Sequence, residues 1–406
     1  MKKAILFCLT LLCIAEISAQ TQTITAENTK YRRSSLYKMM IDDSSRPYAE
    51  VIKTSFLNGP NQEKFNDHNL ANRTIPATEA KDEAENITAY LAANNVARDV
   101  VAKWFDRSPK GGFDMELIKS RGSYDASVLD IATAKSSKRG LDMLSDAGEE
   151  LIKNTFILVN DYKYVSKEEV AEKAKGWMAM AGTLGDHVGI SGASSVTSAT
   201  STAATVAGKG YVVKTTAHLY RLEWNDETAA IFYNDYWADD KTITPERKAA
   251  FDNSTVFKMT YLGSDVSWAD VQSSIFTNKT EEQLIEKATN KAIDAVIIKL
   301  QKNHDEFKTK TPLFSGEPIT AKIGLKEGLS DKSKFDVLEQ QMDADGKTKY
   351  VVVGSLKVDP DHPIWDNRYG AVEENPDGAT AGATYFKKVS GKEFYPGMLI
   401  VQKKGK

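Results

Sequence analysis

Five histidines, His68, His187, His218, His304 and His362, are the residues best suited to metal or proton chemistry. No two of them stand in a His-x-x-x-His or His-Glu-x-x-His spacing, which would place two ligands on one helix face, so they read as solvated or structural. The densest ligand-like cluster is Asp359-Pro360-Asp361-His362-Pro363 with Asp366 close behind. Two prolines would stiffen such a loop and preorganise its oxygen and nitrogen atoms for a hard cation. The same residues are ordinary loop formers, and a plain loop is the expectation. Asp343-Ala344-Asp345-Gly346 resembles part of a calcium loop. Gln341 is a poor first ligand there and Val352 cannot supply the bidentate last one, so a hairpin turn is expected.

Nucleotide and nucleophile motifs fall short in the same way. Gly208-Lys209 lacks the first glycine of a phosphate loop, because Ala203 occupies its place. Gly189-Ile190-Ser191-Gly192-Ala193 ends in alanine where a nucleophile elbow needs glycine. Carboxylates are abundant, and a glycosidase-like pair depends on their separation in space. Aromatic residues concentrate at Tyr220, Trp224, Phe232, Tyr233, Tyr236 and Trp237. On an exposed sheet face such rings would bind a sugar polymer or a protein, and across a hairpin they would pack a core. Asn72, Asn86, Asn253 and Asn278 head Asn-x-Ser/Thr sites, which matter only in a glycosylating secretory route. No residue is assigned a catalytic, cofactor-binding or metal-ligating role, and no cofactor is expected.

The elements that would position these groups begin with an address. Lys2 and Lys3 precede the apolar run Ala4–Ala15, and Ile17-Ser18-Ala19 offers a small-residue cleavage site. Residues 1–19 therefore read as a secretory signal peptide, too short for a membrane anchor. Both cysteines, Cys8 and Cys13, lie within it, so a chain starting at Gln20 holds no thiol for disulfides, zinc or nucleophilic catalysis. Leu12 precedes Cys13 where a lipid-anchoring cut follows a small residue, which argues against lipidation. Removing the leader changes the net charge from −3 to −4. That balance argues against nucleic acid as the main partner, and no later apolar run reaches the roughly 20 residues of a membrane helix.

Residues 20–77 are polar and irregular and read as an extended arm with short pieces of structure. From 78 to 310 the pattern is that of an α/β module. Glu79 to Phe105 carries a helical stripe ended by Ser108-Pro109-Lys110-Gly111-Gly112, and Phe113–Lys119 and Ser127–Ala134 fit strand or short helix. A helical face, Leu141 to Ile152, leads into the apolar strand Phe156–Val159, as in sheets covered on both faces. Val170–Met180 reads as helix, and Ser191–Gly208 is a Ser/Thr/Ala-rich insertion that would be either mobile or a membrane-inserting hairpin. Tyr211–Trp224 alternates as a strand, Asn225-Asp226-Glu227 fits a turn, Ala229–Tyr236 fits a returning strand and Val256–Leu262 a third. Thr280-Glu281-Glu282-Gln283 is a capping box that opens a long helix. Residues 311–318 read as a linker, and 319–406 as a small β domain, barrel or sandwich, with strands Ile319–Leu325, Phe335–Gln340, Tyr350–Val358, Thr384–Val389 and Met398–Gln402.

From Arg139 to Asn303 the order of elements resembles the periplasmic α/β module of curli-type secretion lipoproteins and of the amino-terminal domain of TolB-like proteins. A small β-barrel after it is similar to the arrangement in periplasmic flagellar-assembly proteins. The resemblance implies an exported protein, periplasmic, outer-membrane-associated or secreted, and it carries over no functional residue. The expected fold class is mixed α+β or α/β, a central sheet-and-helix module followed by a small β-barrel or sandwich. The expected function is non-enzymatic binding or assembly among envelope proteins or polymers. The alternatives are a hydrolase of an envelope or extracellular polymer that uses paired carboxylates, and a secretion-pore component.

Overall fold

A stretch of alternating and continuous apolar residues builds the sheet, and it starts earlier than the sequence pattern suggests. The computed structural model describes residues 34–62, 64–79, 82–125, 151–166, 211–271, 279–308, 310–342 and 348–403. Strand β1 (Ser35–Asp42) is followed by helix α1 (Ala49–Asn58) and the short strands β2 (Asn66–Asp67) and β3 (Thr74–Pro76). Residues 35–76, expected as an arm, thus supply the parallel part of a sheet. The reason is burial on both faces: Ser35 to Ile41 are all buried, so the strand shows no polar alternation and hides among polar neighbours.

The single helix expected from Glu79 to Phe105 is two, α2 (Glu83–Ala93) and α3 (Val96–Trp104). They break at Asn95, whose φ of 52° is left-handed, a conformation asparagine tolerates because its short side chain bonds locally. Helix α4 (Glu116–Asp125), strand β4 (Thr155–Ser166) and strand β5 (Tyr211–Leu222) follow. Leu151 and Ile152 close a helical segment just before β4, as expected.

The returning strand expected at Ala229–Tyr236 does not exist. Asn225 accepts a hydrogen bond from the Thr228 amide and caps helix α5 (Asp226–Ile231), which runs into a π-helical turn, Phe232–Tyr236. Helix α6 (Pro245–Asp252), strand β6 (Met259–Val271) and helix α7 (Glu281–Asn303) complete the module. The capping box at Thr280 forms as read: its hydroxyl accepts from the Gln283 amide, and the Gln283 side chain accepts from the Thr280 amide.

The strands lie in the order β2–β1–β4–β5–β6, with β3 also paired to β1. Strand β1 runs parallel to β2, β3 and β4, and β4–β5–β6 are antiparallel. Helices α1 and α7 cover one face, packing Phe56, Ala288, Ala292 and Val296 on Leu36, Phe156, Leu158 and Leu219. Helices α2 to α4 cover the other, packing Ile87, Val100, Trp104 and Ile118 on Tyr37, Ile157, Val159 and Tyr220. This is a three-layer arrangement with the sheet at its centre.

After α7 the chain forms β7 (Thr311–Gly316), β8 (Ile319–Ala321), β9 (Lys334–Met342), β10 (Thr348–Val358), short helices α8 (Ala371–Glu374) and α9 (Pro376–Thr380), β11 (Thr384–Gly391) and β12 (Leu399–Gln402). They close into a six-stranded antiparallel barrel in the order β10–β11–β8–β7–β12–β9, which leaves no free sheet edge. The fold is therefore mixed, a sheet-and-helix region followed by a carboxy-terminal barrel. Strand β7 falls in the stretch expected as a linker, because Thr311 and Pro312 pair with Ile400 and Leu399.

The expected signal peptide (1–19), Ser127–Ala134, Val170–Met180, the 191–208 insertion, His187, Asn278 and Asp343-Ala344-Asp345-Gly346 lie outside the described residues. No helix among the described residues is long and apolar enough to cross a membrane.

Candidate functional site

Four of the histidines are visible, and each serves a local contact. His68 is fully buried with Nε2 3.0 Å from the Val100 carbonyl. His218 meets Glu83 at 2.9 Å, His304 lies 3.8 Å from Asp265, and His362 lies 3.1 Å from Asp359. Among the described residues no three His, Cys, Asp or Glu side chains gather as a metal site.

The Asp359–Asp366 cluster is a cross-braced loop. Asp359 accepts from the Asp361 amide at 3.0 Å and from His362 Nδ1, and it pairs with Lys387 at 2.9 Å. The amide and the Lys387 ammonium hold its carboxyl down at about 2. Asp366 is buried, which alone would raise its pKa, but the guanidinium of Arg368 at 2.7 Å outweighs that and lowers it. Neither acid can donate a proton near neutrality, as a glycosidase acid must. The remaining buried acids among the described residues also face cations: Asp161 pairs with Arg46 and Lys163, Asp294 with Lys326, and Glu327 with Lys64.

The aromatic cluster does not form a surface. Phe232 is fully buried, and Phe105, Phe113, Trp224, Tyr233 and Phe251 surround it with centroids 4.2 to 6.3 Å away. The core-packing alternative holds: Phe232 to Tyr236 lie on a helical segment, not a returning strand, and it brings Phe232 against Phe105 and Phe113.

A large cleft opens where α7 meets the barrel, with a volume of about 1180 Å³. Its positive wall is made by Lys302, Lys308, Lys332, Lys334 and Lys403, with Glu327 as its single acid. Helix α7 delivers Lys302 in its last turn, where a cation complements the helix dipole. The turn Asp305–Phe307 then brings in Lys308, which pairs with Asp305 at 2.6 Å. Lys334 begins β9 and Lys403 follows β12, held side by side by the bond from the Lys403 amide to the Lys334 carbonyl. Burial and the neighbouring Lys299 lower the pKa of Lys302. Glu327 is already engaged, accepting from the Gly324 amide at 2.6 Å and from Asn367 at 2.9 Å. Gly328 lets the wall approach α7: its φ is +69°, and a Cβ there would stand 2.7 Å from Ile298 Cγ2. Sequence reasoning missed this cleft because its lysines come from three stretches separated by tens of residues, and each alone reads as a solvated surface charge.

Behind the cleft, charged groups join the module to the barrel. Lys64 lies 3.6 Å from Glu327 and donates to the Lys322 carbonyl at 3.2 Å, while Lys326 lies 3.9 Å from Asp294 of α7. Nearby Lys38, in the middle of β1, is buried and donates to the Pro60 carbonyl at 2.8 Å. Burial first, then Arg73 and Lys326, lower its pKa from 10.5 to about 8, against the pull of Asp67 and Asp294. The unfolded chain therefore binds more protons than the folded one between pH 8 and 10.5, so stability rises with pH across that window. The rise amounts to about 3 kcal/mol. Lys38→Met should abolish it: urea-unfolding free energies of the two proteins should differ by about 3 kcal/mol more at one end of the window than at the other. A constant difference would contradict the assignment.

The chain matches no protein-family model and no curated protein.

Proposed function

We propose that this protein is an exported, non-enzymatic binding component of the cell envelope, and that it holds an acidic partner in the cleft between α7 and the barrel. The observation that carries this is the cleft's lining, five lysines against one already bonded glutamate, in a chain whose net charge is −3; Lys308 and Lys403 pair with Asp305 and Asp336 at 2.6 Å, and Lys332 and Lys334 carry the excess. Positive groups lining a concave wall focus the field there and draw in anions. The cation pairing that lowers the carboxyls of Asp359 and Asp366 favours binding over hydrolysis, because carboxylates held this way make poor proton donors. The leader-like first nineteen residues support export, and the resemblance in element order to curli-type and TolB-like modules supports a role among envelope assemblies.

Photocrosslinking in intact cells tests this. A photoreactive residue in place of Gln301, which lines the cleft, should yield adducts with envelope components. Adding K332E and K334E should remove them. Adducts that persist undiminished in the charge-reversed protein, or turnover of envelope polymers by the purified protein, would overturn the proposal.

A further inference from the structure

We infer that the partner held in this cleft is an acidic polysaccharide, a sugar chain bearing carboxylates on successive units. The inference rests on the proposed binding role of the cleft and specifies its ligand class. Three features of the lining separate a glycan from an acidic protein.

The first is the lack of an anchor pocket. The apolar residues at the floor, Ile323, Leu329, Phe335 and Ile400, are each 3% exposed or less and already belong to the barrel core. Protein interfaces draw most of their energy from aromatic and aliphatic anchors inserted into such pockets, and here the floor is closed. What the cleft offers to a ligand is polar: the ammonium groups, with the amides of Gln301 and Gln402 and the hydroxyl of Ser330. Amides and hydroxyls both donate and accept, which suits sugar hydroxyls between the charges.

The second is the kind of cation. All five lining cations are lysines. An arginine fork suits one planar anion held bidentately, whereas point charges on flexible stems can follow charges spaced along a chain. Lys302 and Lys308 stand on the α7 side, and Lys332, Lys334 and Lys403 on the barrel side, so both walls of the cleft carry charge. The third is size. At about 1180 Å³ the cleft exceeds the roughly 300–1,000 Å³ typical of small-molecule sites, and it is open at its mouth, as a polymer segment requires.

Calorimetric titration of the full-length protein with an alginate oligosaccharide, poly-L-glutamate of matched charge, and neutral dextran tests the inference. Alginate should bind, poly-glutamate should bind at least tenfold more weakly, and dextran should not bind. The K332E/K334E protein should lose at least tenfold in alginate affinity, and raising salt from about 50 to about 200 mM should weaken the wild type, as expected when lysines displace counterions. Poly-glutamate binding as well as or better than alginate would overturn the glycan assignment and leave the acidic-partner cleft standing. Binding of neither polyanion at low salt would overturn both.

Discussion

Lowering the pH from 6.5 to 3 should remove about 5 kcal/mol of stability through His68 alone. His68 follows β2 and is fully buried, with its ring centroid 5.3 Å from that of Trp104. Nε2 faces the Val100 carbonyl, so it carries the proton, and the buried Nδ1 has no hydrogen-bond partner. A second proton would charge a ring sealed from water, beside the guanidinium of Arg121, which lies 4.0 Å from the Trp104 ring centroid. Burial above all, then Arg121 and Lys103, lower the pKa from 6.5 to about 3, and the bond to Val100 offsets this only in part. A depressed histidine pKa means the unfolded chain takes up the proton first, so stability is full above pH 6.5 and is lost as the pH falls toward 3. His68→Gln keeps an amide donor for Val100 and cannot titrate. Its unfolding free energy should fall less than the wild type's over this range, by an amount approaching 5 kcal/mol, and parallel acid limbs would show that His68 is not the cause.

Phe232→Ala should cost about 3–5 kcal/mol, read as a lower urea midpoint at unchanged slope. Phe232 opens the π-helical turn and is fully buried; its centroid lies 4.2 Å from that of Phe105 and 5.1 Å from that of Phe113. Rings this close also gain from edge-to-face contacts beyond their buried area. Phe251 and Phe257, which complete the far wall, are braced by helix α6 and the approach to β6, so the site cannot collapse to refill the void. Tyr395→Ala, at a ring that is 49% exposed, should cost under about 1 kcal/mol by comparison. A loss of less than about 1 kcal/mol at Phe232 would contradict its place in the core.

How much of this was legible depends on whether the signal was local. The Thr280 capping box, the apolar start of β4, the alternation of β5 and the barrel strands after β7 all declare themselves within a dozen residues. The segment after β5 misleads because aromatic residues favour strands and Asn225-Asp226 looks like a hairpin turn. The helix was readable from another local cue: Asn225 caps, and Asp226 and Glu227 in the first turn suit the dipole. Strand β1 is hidden by its own burial, since Lys38 within it reads as a surface residue until Pro60 and the barrel junction close over it. The cleft was not legible at all, for it exists only where the end of α7 meets β9 and β12.

The central claim is that an acidic partner is held between α7 and the barrel, and co-sedimentation with isolated cell envelopes tests it most directly. Wild-type protein should bind in a salt-sensitive way. The K332E/K334E protein should bind at least tenfold more weakly, a change of about 1.4 kcal/mol, while unfolding at the same urea concentration because both lysines are exposed. Envelope binding by the double variant within twofold of wild type would contradict the account.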